Sequence, residues 1–283
     1  MFKTHKKLTG TKIIEVENAS NIYPASENKE ASQYRNFIVG AVVWDDKIWF
    51  GTYRTNSSGT QQNTSFRKEL DSTIVNTNCH YNYGAAVVYD GAIHLLGSSY
   101  SGEGTYHKVY DGSGSSFTAG TALPQSVSYA PAVVCDGKIN VFGDTSNRTR
   151  HYTWKTGDSS WTLVSTALPI NMYNGLAVVR QSTNHIHILH GTDHYELSNG
   201  SWVSKGTNPV SFLASVCVAV SKGANIHVFS QDTHYIWDGS SWTTVQDVPI
   251  TIDSETFAVL KDDKIHIVGG HNSERLAYCL VDY

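Results

Sequence analysis

The sequence predicts an all-β protein: a six-bladed β-propeller of four-stranded antiparallel blades, its ring closed by an N-terminal strand that completes the C-terminal blade. A strand-rich unit recurs along the chain, and no long helical periodicity accompanies it. Four of the six copies carry Asp in the first turn, at Asp45, Asp90, Asp136 and Asp262, and in two of them Gly follows. Recurring four-stranded units of about 40–50 residues are typical of propellers. The isoleucine that opens the second strand marks each unit, at Ile48, Ile93, Ile139, Ile186, Ile226 and Ile265.

The unit is clearest between Tyr129 and Pro169. Asp136-Gly137 separates two short apolar runs and predicts a type I′ hairpin, because both central residues of that turn need positive φ. Pro169 ends the unit, since proline lacks the N–H group that a strand ladder requires. The predicted strands of this unit are 132–134, 139–142, 151–154 and 161–164.

Closure of the ring is predicted from the two ends of the chain. After Ile265 there is room for a third strand at 276–281 but not for a fourth. Leu8–Val16, which precedes Pro24 as a fourth strand precedes proline elsewhere, is expected to supply it and so remove exposed sheet edges. The chain is expected to form one domain, residues 1–283, with blades at 36–83, 84–129, 130–174, 175–215, 216–255, and 256–283 plus 1–24.

The repeated unit resembles the kelch repeat, in a divergent form closer to bacterial or viral kelch-like proteins. The matching features are an apolar inner strand, an Asp-Gly type turn, an isoleucine strand ending in glycine, and a tryptophan opening the fourth strand, as in Trp161, Trp202 and Trp242. The family's double glycine survives at Gly269-Gly270. The resemblance covers nearly the whole chain and implies a propeller used for recognition, for scaffolding or for sugar chemistry.

Composition excludes several classes of partner. Charged residues make up 16% of the 283 residues and the net charge is −4, with no basic face, so nucleic acid is not an expected partner. No apolar run approaches the roughly 18 residues of a membrane span, and the N-terminus lacks the apolar core of a secretory signal. The expected location is a virion or cell-exterior assembly reached without a signal peptide, otherwise the cytoplasm. The four cysteines are expected to be free thiols.

Histidines are abundant, but eight of the 13 fall at two positions of the repeat. In a ring, equivalent residues lie one blade apart and do not converge on one ion, so packing and hydrogen bonding between blades are expected instead. No pair of carboxylates stands out as glycosidase machinery. The sequence thus predicts no catalytic residue, no metal site, no cofactor and no enzymatic activity. The repeated histidines are His94, His187, His227 and His266 in the second strand and His107, His151, His194 and His234 in the third.

The unrepeated loops are the candidate binding region. Loops between strands two and three, and between strand four and the next blade, share one face of a propeller, and loops on such scaffolds carry function. The longest of them is Thr52–Thr64. Tyrosine with amide and hydroxyl groups suits sugar rings or a protein surface. The expected ligand-binding face contains Tyr34, Arg35, Tyr53, Arg54, His80, Tyr81, Tyr83, Tyr100, Tyr129, Arg148, Tyr173, Asn174, Phe212 and His271.

Three functions are compatible with these patterns. The favoured one is a non-catalytic recognition or structural module, such as a phage tail, virion or cell-surface component, that binds a surface glycan or protein assembly partners through the long-loop face. An intracellular kelch scaffold for protein interactions is the second. A sugar-active kelch-like enzyme (an epimerase, lyase or oxidase) is the third, and it requires a deep axial pocket with convergent Arg, His or Glu. Neither nucleic acid nor membrane insertion is expected.

Overall fold

A computed structural model describes residues 12–18, 36–54, 64–68, 73–248, 251–272 and 275–282. In these ranges the backbone forms strands and turns and contains no helix. No membrane-crossing helix is therefore found among the described residues. All pairings between the strands named below are antiparallel.

Five of the sheets have four strands, as the repeat predicts. Sheet 1 consists of β2 (Asn36–Trp44), β3 (Lys47–Arg54), β4 (Ser65–Lys68) and β5 (Ile74–Asn76). Sheet 2 consists of β6 (Ala85–Tyr89), β7 (Ala92–Leu96), β8 (His107–Tyr110) and β9 (Thr118–Ala119). Sheet 3 consists of β10 (Ala132–Cys135), β11 (Lys138–Phe142), β12 (His151–Trp154) and β13 (Thr162–Leu163). Sheet 5 consists of β17 (Cys217–Lys222), β18 (Asn225–Ser230), β19 (Thr233–Trp237) and β20 (Trp242–Asp247).

The fifth of these, sheet 6, joins the two ends of the chain. It contains β21 (Phe257–Lys261), β22 (Lys264–Asn272) and β23 (Arg275–Asp282), with β1 (Lys12–Asn18) as its outer strand. Lys12 lies opposite Asp282 and Asn18 opposite Ala277. The N-terminal strand thus occupies the fourth position of the sheet that holds the C-terminal strand.

Sheet 4 corrects the prediction of six four-stranded blades, because it has three strands: β14 (Leu176–Arg180), β15 (His185–Ser198) and β16 (Ser201–Phe212). The physical reason lies inside β15. His187 Nδ1 is 2.9 Å from His194 Nε2, whereas seven residues of extended strand span about 23 Å. The chain therefore folds back within β15, and pairing of Gly191 with Phe212 continues the ladder at the bend.

The tight turns behave as predicted. Asp136 and Gly137, between β10 and β11, have φ of 51° and 66°. Asp90 and Gly91 take φ of 48° and 75° at the equivalent turn of sheet 2. Positive φ at both central residues defines the hairpin turn that matches the twist of the flanking strands. Asp-Gly in the repeat therefore sets the register of the first hairpin.

The core lies between neighbouring sheets. The isoleucine anchors Ile93, Ile139, Ile226 and Ile265 are completely buried. Phe66 of sheet 1 packs in one cluster with Ile93 of sheet 2, so each sheet covers the face of its neighbour. The first strands pack against one another in the order β2, β6, β10, β14, β17, β21. Sheets whose first strands pack side by side in this way define a β-propeller.

Three cysteines, Cys79, Cys135 and Cys217, are buried free thiols. Burial raises the pKa of Cys135 to about 11, so the thiol form persists at neutral pH. The prediction of free thiols is confirmed for these three. Cys279 lies in β23, and its side chain is outside the described residues.

Candidate functional site

The repeated histidines form hydrogen-bonded pairs between the second and third strands of a sheet. His94 Nδ1 lies 2.8 Å from His107 Nε2, and His227 Nδ1 lies 3.0 Å from His234 Nε2. In sheet 3 the same bond joins His151 Nε2 to Asn140 Oδ1 at 2.9 Å. Asparagine therefore replaces the second-strand histidine in that sheet without loss of the contact.

These pairs pack against the aromatic residues of the next sheet. The His107 ring is 5.0 Å from Trp154 and 5.6 Å from Trp161, centroid to centroid. The His194 ring is 4.9 Å from Trp237 in the same kind of contact. The predicted packing role between blades is confirmed for these histidines.

Burial keeps the paired histidines neutral. It lowers the pKa of His107 to about 4 and that of His194 to about 3, in each case with the neighbouring histidine adding to the effect. The backbone hydrogen bond from His107 to Thr121 opposes this shift without cancelling it. Neutral imidazole offers one donor and one acceptor, which is what a His–His bond requires. In the described part of the chain, no group of three or more potential ligands could hold a metal ion.

A cavity of about 300 Å³ lies on the propeller axis. Its wall is built from the beginnings of the first strands, which contribute small side chains such as Ala86, Ala132, Ala177 and Ala258. The first strands approach one another closely here, and only small side chains leave space for a cavity between them. Around the mouth, polar groups come from Asn82, Asn174, Ser215, Ser254 and Glu255.

The rim of this cavity follows the repeat. Tyr83, Tyr129 and Asn174 each stand three residues before the alanine of an inner strand, and their φ angles are 51°, 54° and 60°. Their backbones link consecutive sheets, because Tyr129 N donates to Tyr83 O and Asn174 N donates to Tyr129 O, both at 2.8 Å. Ala214 N continues the series by donating to Asn174 O at 2.8 Å. Backbone hydrogen bonds therefore link the neighbouring segments along this part of the rim.

Three tyrosines and one arginine form an aromatic surface on this rim, here called the tyrosine platform (Tyr83, Tyr129, Tyr173 and Arg148). Tyr83 stacks on Tyr129 with centroids 4.3 Å apart and planes 19° apart, and Tyr129 contacts Tyr173 at 5.1 Å. The Arg148 guanidinium lies 4.5 Å from the Tyr173 ring centre and donates to Ser128 O at 2.9 Å. Tyr83 is 37% exposed and Tyr173 is 44% exposed. The platform thus presents ordered aromatic surface to solvent.

A second stack, here called the Tyr100 platform (His80, Tyr100 and Glu103), lies beside the first. The Tyr100 ring stacks on His80 with centroids 4.1 Å apart and planes 15° apart. Glu103 fixes the histidine: its Oε1 is 3.1 Å from His80 Nδ1, and its Oε2 accepts from His80 N at 2.7 Å. Tyr100 remains 40% exposed.

Asp144 holds the loop that carries Arg148. Its Oδ1 accepts from Ser146 N at 2.7 Å and Asn147 N at 2.6 Å, and its Oδ2 accepts from Tyr152 Oη at 2.7 Å. Burial by itself would raise the pKa of this carboxyl, but these hydrogen bonds and that from Arg150 hold the pKa below its usual value. The side chain is fully buried and ionised, so it organises the loop electrostatically.

Substitution Asp144→Asn is expected to destabilise the protein by about 2 kcal/mol, because an amide group would face donors that now meet a carboxylate. Tyr152→Phe, which removes one donor and leaves the carboxylate in place, is the matched control and should cost about 1 kcal/mol. Urea unfolding of both variants measures the difference. Equal free energies of unfolding for Asp144→Asn and the wild type would contradict this role.

The structure separates the fourteen predicted face residues into groups. Tyr83, Tyr129 and Asn174 line the cavity mouth, Arg148 and Tyr173 extend the tyrosine platform, and His80 and Tyr100 form the second stack. Tyr81 and Phe212 are 1% and 0% exposed and belong to the core. Tyr34, Arg35 and most of the loop Thr52–Thr64 lie outside the described residues. Tyr53 and Arg54 fall in β3 and His271 in β22, and their side chains are likewise outside the described residues.

Several polar residues of this region were not predicted. Glu103 and the cavity residues Asn82, Ser215, Ser254 and Glu255 show no motif in the sequence. For Asn82 a usable signal exists, because it directly precedes the rim position that Tyr83, Tyr129 and Asn174 share. Position within the repeat, rather than residue type, therefore locates the mouth of the cavity.

Comparison with known proteins gives the class of fold. No protein-family model matches the chain, so the kelch resemblance stays a prediction, and no curated protein matches it either. Among solved structures, "Structure of YjhT" is similar over 88% of this chain and 98% of that chain, with a TM-score of 0.64 and 10% identity. At this identity the likeness supports the propeller fold alone.

Proposed function

We propose that this protein is a non-catalytic recognition module that binds a glycan on the tyrosine platform at the mouth of its axial cavity. One observation carries the proposal: stacked aromatic rings, of which Tyr83 is exposed, stand at one side of a cavity whose mouth offers amide and hydroxyl groups. Sugar rings present C–H faces to aromatic side chains and hydroxyls to such polar groups. The proposed setting remains a phage tail, virion or cell-surface component.

The proposed scaffold is a closed, kelch-like ring of six blades. Three observations support it. The fold-back within β15 gives sheet 4 the two middle strands of a blade. β2 contacts β21, and Ile48 and Phe50 of sheet 1 share a core cluster with Val259 and Val268 of sheet 6. β1 then pairs with β23 across the ends of the chain.

The chemistry of the cavity favours binding over catalysis. The sugar-active alternative requires convergent Arg, His or Glu groups, and the described lining contributes one carboxylate, Glu255, with neither histidine nor arginine. The buried histidine pairs are directed between sheets and are already used in packing. A recognition module could instead bind a protein at the same surface. The following test distinguishes a protein ligand from a glycan.

Removal of the Tyr83 ring is expected to weaken glycan binding at least about tenfold, which corresponds to about 1.4 kcal/mol. The substitution is Tyr83→Asn, because asparagine tolerates the positive φ and already stands at the equivalent position 174. Leu163→Ala, on the outer strand β13 and 54% exposed before substitution, is the control away from the site. The measurement is binding to a printed array of mono- to hexasaccharides, followed by titration with the strongest binder.

Unchanged affinity in Tyr83→Asn, with melting temperature preserved, would contradict a site on this platform. An array without any bound glycan would reject glycan recognition, and capture of a protein ligand that requires Tyr83 would then support the alternative.

A further inference from the structure

The two aromatic platforms are joined by one buried hydroxyl. Ser98, which is 4% exposed, donates from Oγ to His80 O at 2.6 Å. The same oxygen accepts from Tyr100 N at 3.1 Å and from Asn82 N at 3.3 Å. Ser98 therefore ties the base of the Tyr100 platform to the residue that precedes Tyr83.

A backbone hydrogen bond strengthens the same junction. Ser99 N donates to Asn82 O at 2.8 Å, so the loop after β7 is anchored at the mouth of the axial cavity. Asn82 itself lines that cavity, between Tyr83 on one side and the anchored loop on the other. The two platforms are consequently neighbours, joined through Ser98 and the backbone of Asn82.

The Tyr100 platform is ordered before any ligand binds. One face of the Tyr100 ring rests on His80, and Glu103 holds His80 through both carboxylate oxygens. The side chains of His80 and Glu103 are 24% and 14% exposed, which keeps this support largely out of water. An aromatic ring held in place loses little conformational entropy on binding, so its open surface is suited to recognition.

We infer that the ligand is an oligosaccharide of at least two contiguous sugar rings, one on the tyrosine platform at the cavity mouth and the next on Tyr100. The inference rests on the proposed function, because it assigns a second subsite to the same glycan site. Asn82 lines the cavity and its backbone contacts Ser98 and Ser99, so its amide is a candidate hydrogen-bonding group for the hydroxyls of either sugar. A single sugar cannot use both platforms and should bind more weakly.

The test compares the free mono-, di- and trisaccharide of the strongest array ligand by calorimetric titration. For the wild type we expect affinity to rise at least about tenfold from mono- to disaccharide. Tyr100→Ala should remove most of that gain. Tyr100→Phe, which keeps the ring, should retain the gain, and melting temperatures of both variants check that they fold.

Equal affinity for mono- and trisaccharide, or a length dependence that Tyr100→Ala leaves intact, would overturn the second subsite. In that case a loss of binding in Tyr83→Asn would still support the proposed function. If the wild-type protein binds none of the arrayed glycans, both the second subsite and the proposed function are overturned. No variant is needed to observe this outcome. Each result therefore separates failure of the subsite from failure of the site.

Discussion

Lowering the pH from about 7.5 to about 5.5 is expected to destabilise this protein by several kcal/mol, at about 1 kcal/mol for each strongly shifted histidine. Burial lowers the pKa values of these side chains to about 3 or 4, from an ordinary value of 6.5. The unfolded chain therefore binds more protons, and stability is complete above pH 6.5 and lost as the pH falls towards the folded-state values. The histidines are His107, His151, His187, His194, His227 and His234.

The charges around these histidines do not reverse the expected direction. Around His187 and His194, Glu196 raises the pKa and Lys205 lowers it, while burial remains the largest influence on both. Lys222 lowers the pKa of His227. A total of several kcal/mol is a large fraction of the roughly 5–15 kcal/mol that stabilises an ordinary domain.

Sheet 3 supplies the matched variant for this prediction. A triple substitution, His94→Asn, His187→Asn and His227→Asn, copies the Asn140–His151 pair into the other sheets. It should lessen the decline in unfolding free energy between about pH 7.5 and about pH 5.5, because two of the six strongly shifted histidines are removed. Urea unfolding at each pH measures the decline. A triple variant that keeps the full wild-type decline would contradict the role of the pairs.

Breaking the pairing between β1 and β23 is expected to cost about 3 kcal/mol or more, because several ladder hydrogen bonds of about 1 kcal/mol each are lost together. The substitution is Glu15→Pro with Val16→Pro, because alternate residues of an outer strand donate to the sheet and two successive prolines must remove one such donor. Loss of the outer strand leaves β23 with an open edge and releases the two ends of the chain from each other.

The control for this prediction is Glu15→Ala with Val16→Ala, which keeps both N–H groups. Thermal unfolding should give a clearly lower midpoint for the proline variant than for the alanine variant. Equal midpoints for the two variants would show that the N-terminal strand contributes little to the fold.

Repetition explains how much of the fold could be predicted from the sequence. Ile139 and its equivalents recur after short turns, four of which begin with Asp, and these local signals suffice to place the strands of most sheets. The prediction of four separate strands is wrong for sheet 4. Gly191, at the bend within β15, remains paired with Phe212, so β15 continues as one strand through the bend. That pairing joins residues 21 positions apart, and a pattern of neighbouring residues in the sequence cannot predict it.

The candidate site was harder to predict because its side-chain directions depend on single φ angles. Tyr81 and Tyr83 are two residues apart and would share a face in a regular strand. The φ of 51° at Tyr83 breaks that alternation, so Tyr81 packs on Phe66 at 6.3 Å while Tyr83 faces solvent. Contact between His80 and Tyr100 is likewise invisible in the sequence, since it depends on how the sheets meet.

The most direct test of glycan recognition at the cavity mouth is a structure determined with the strongest array ligand bound. We expect one sugar ring on Tyr83 and Tyr129 beside the axial cavity, with its hydroxyls bonded to Asn82 or Asn174. A ligand on the Asp-Gly turns at the opposite end, or along the outer strand β16, would contradict the proposal.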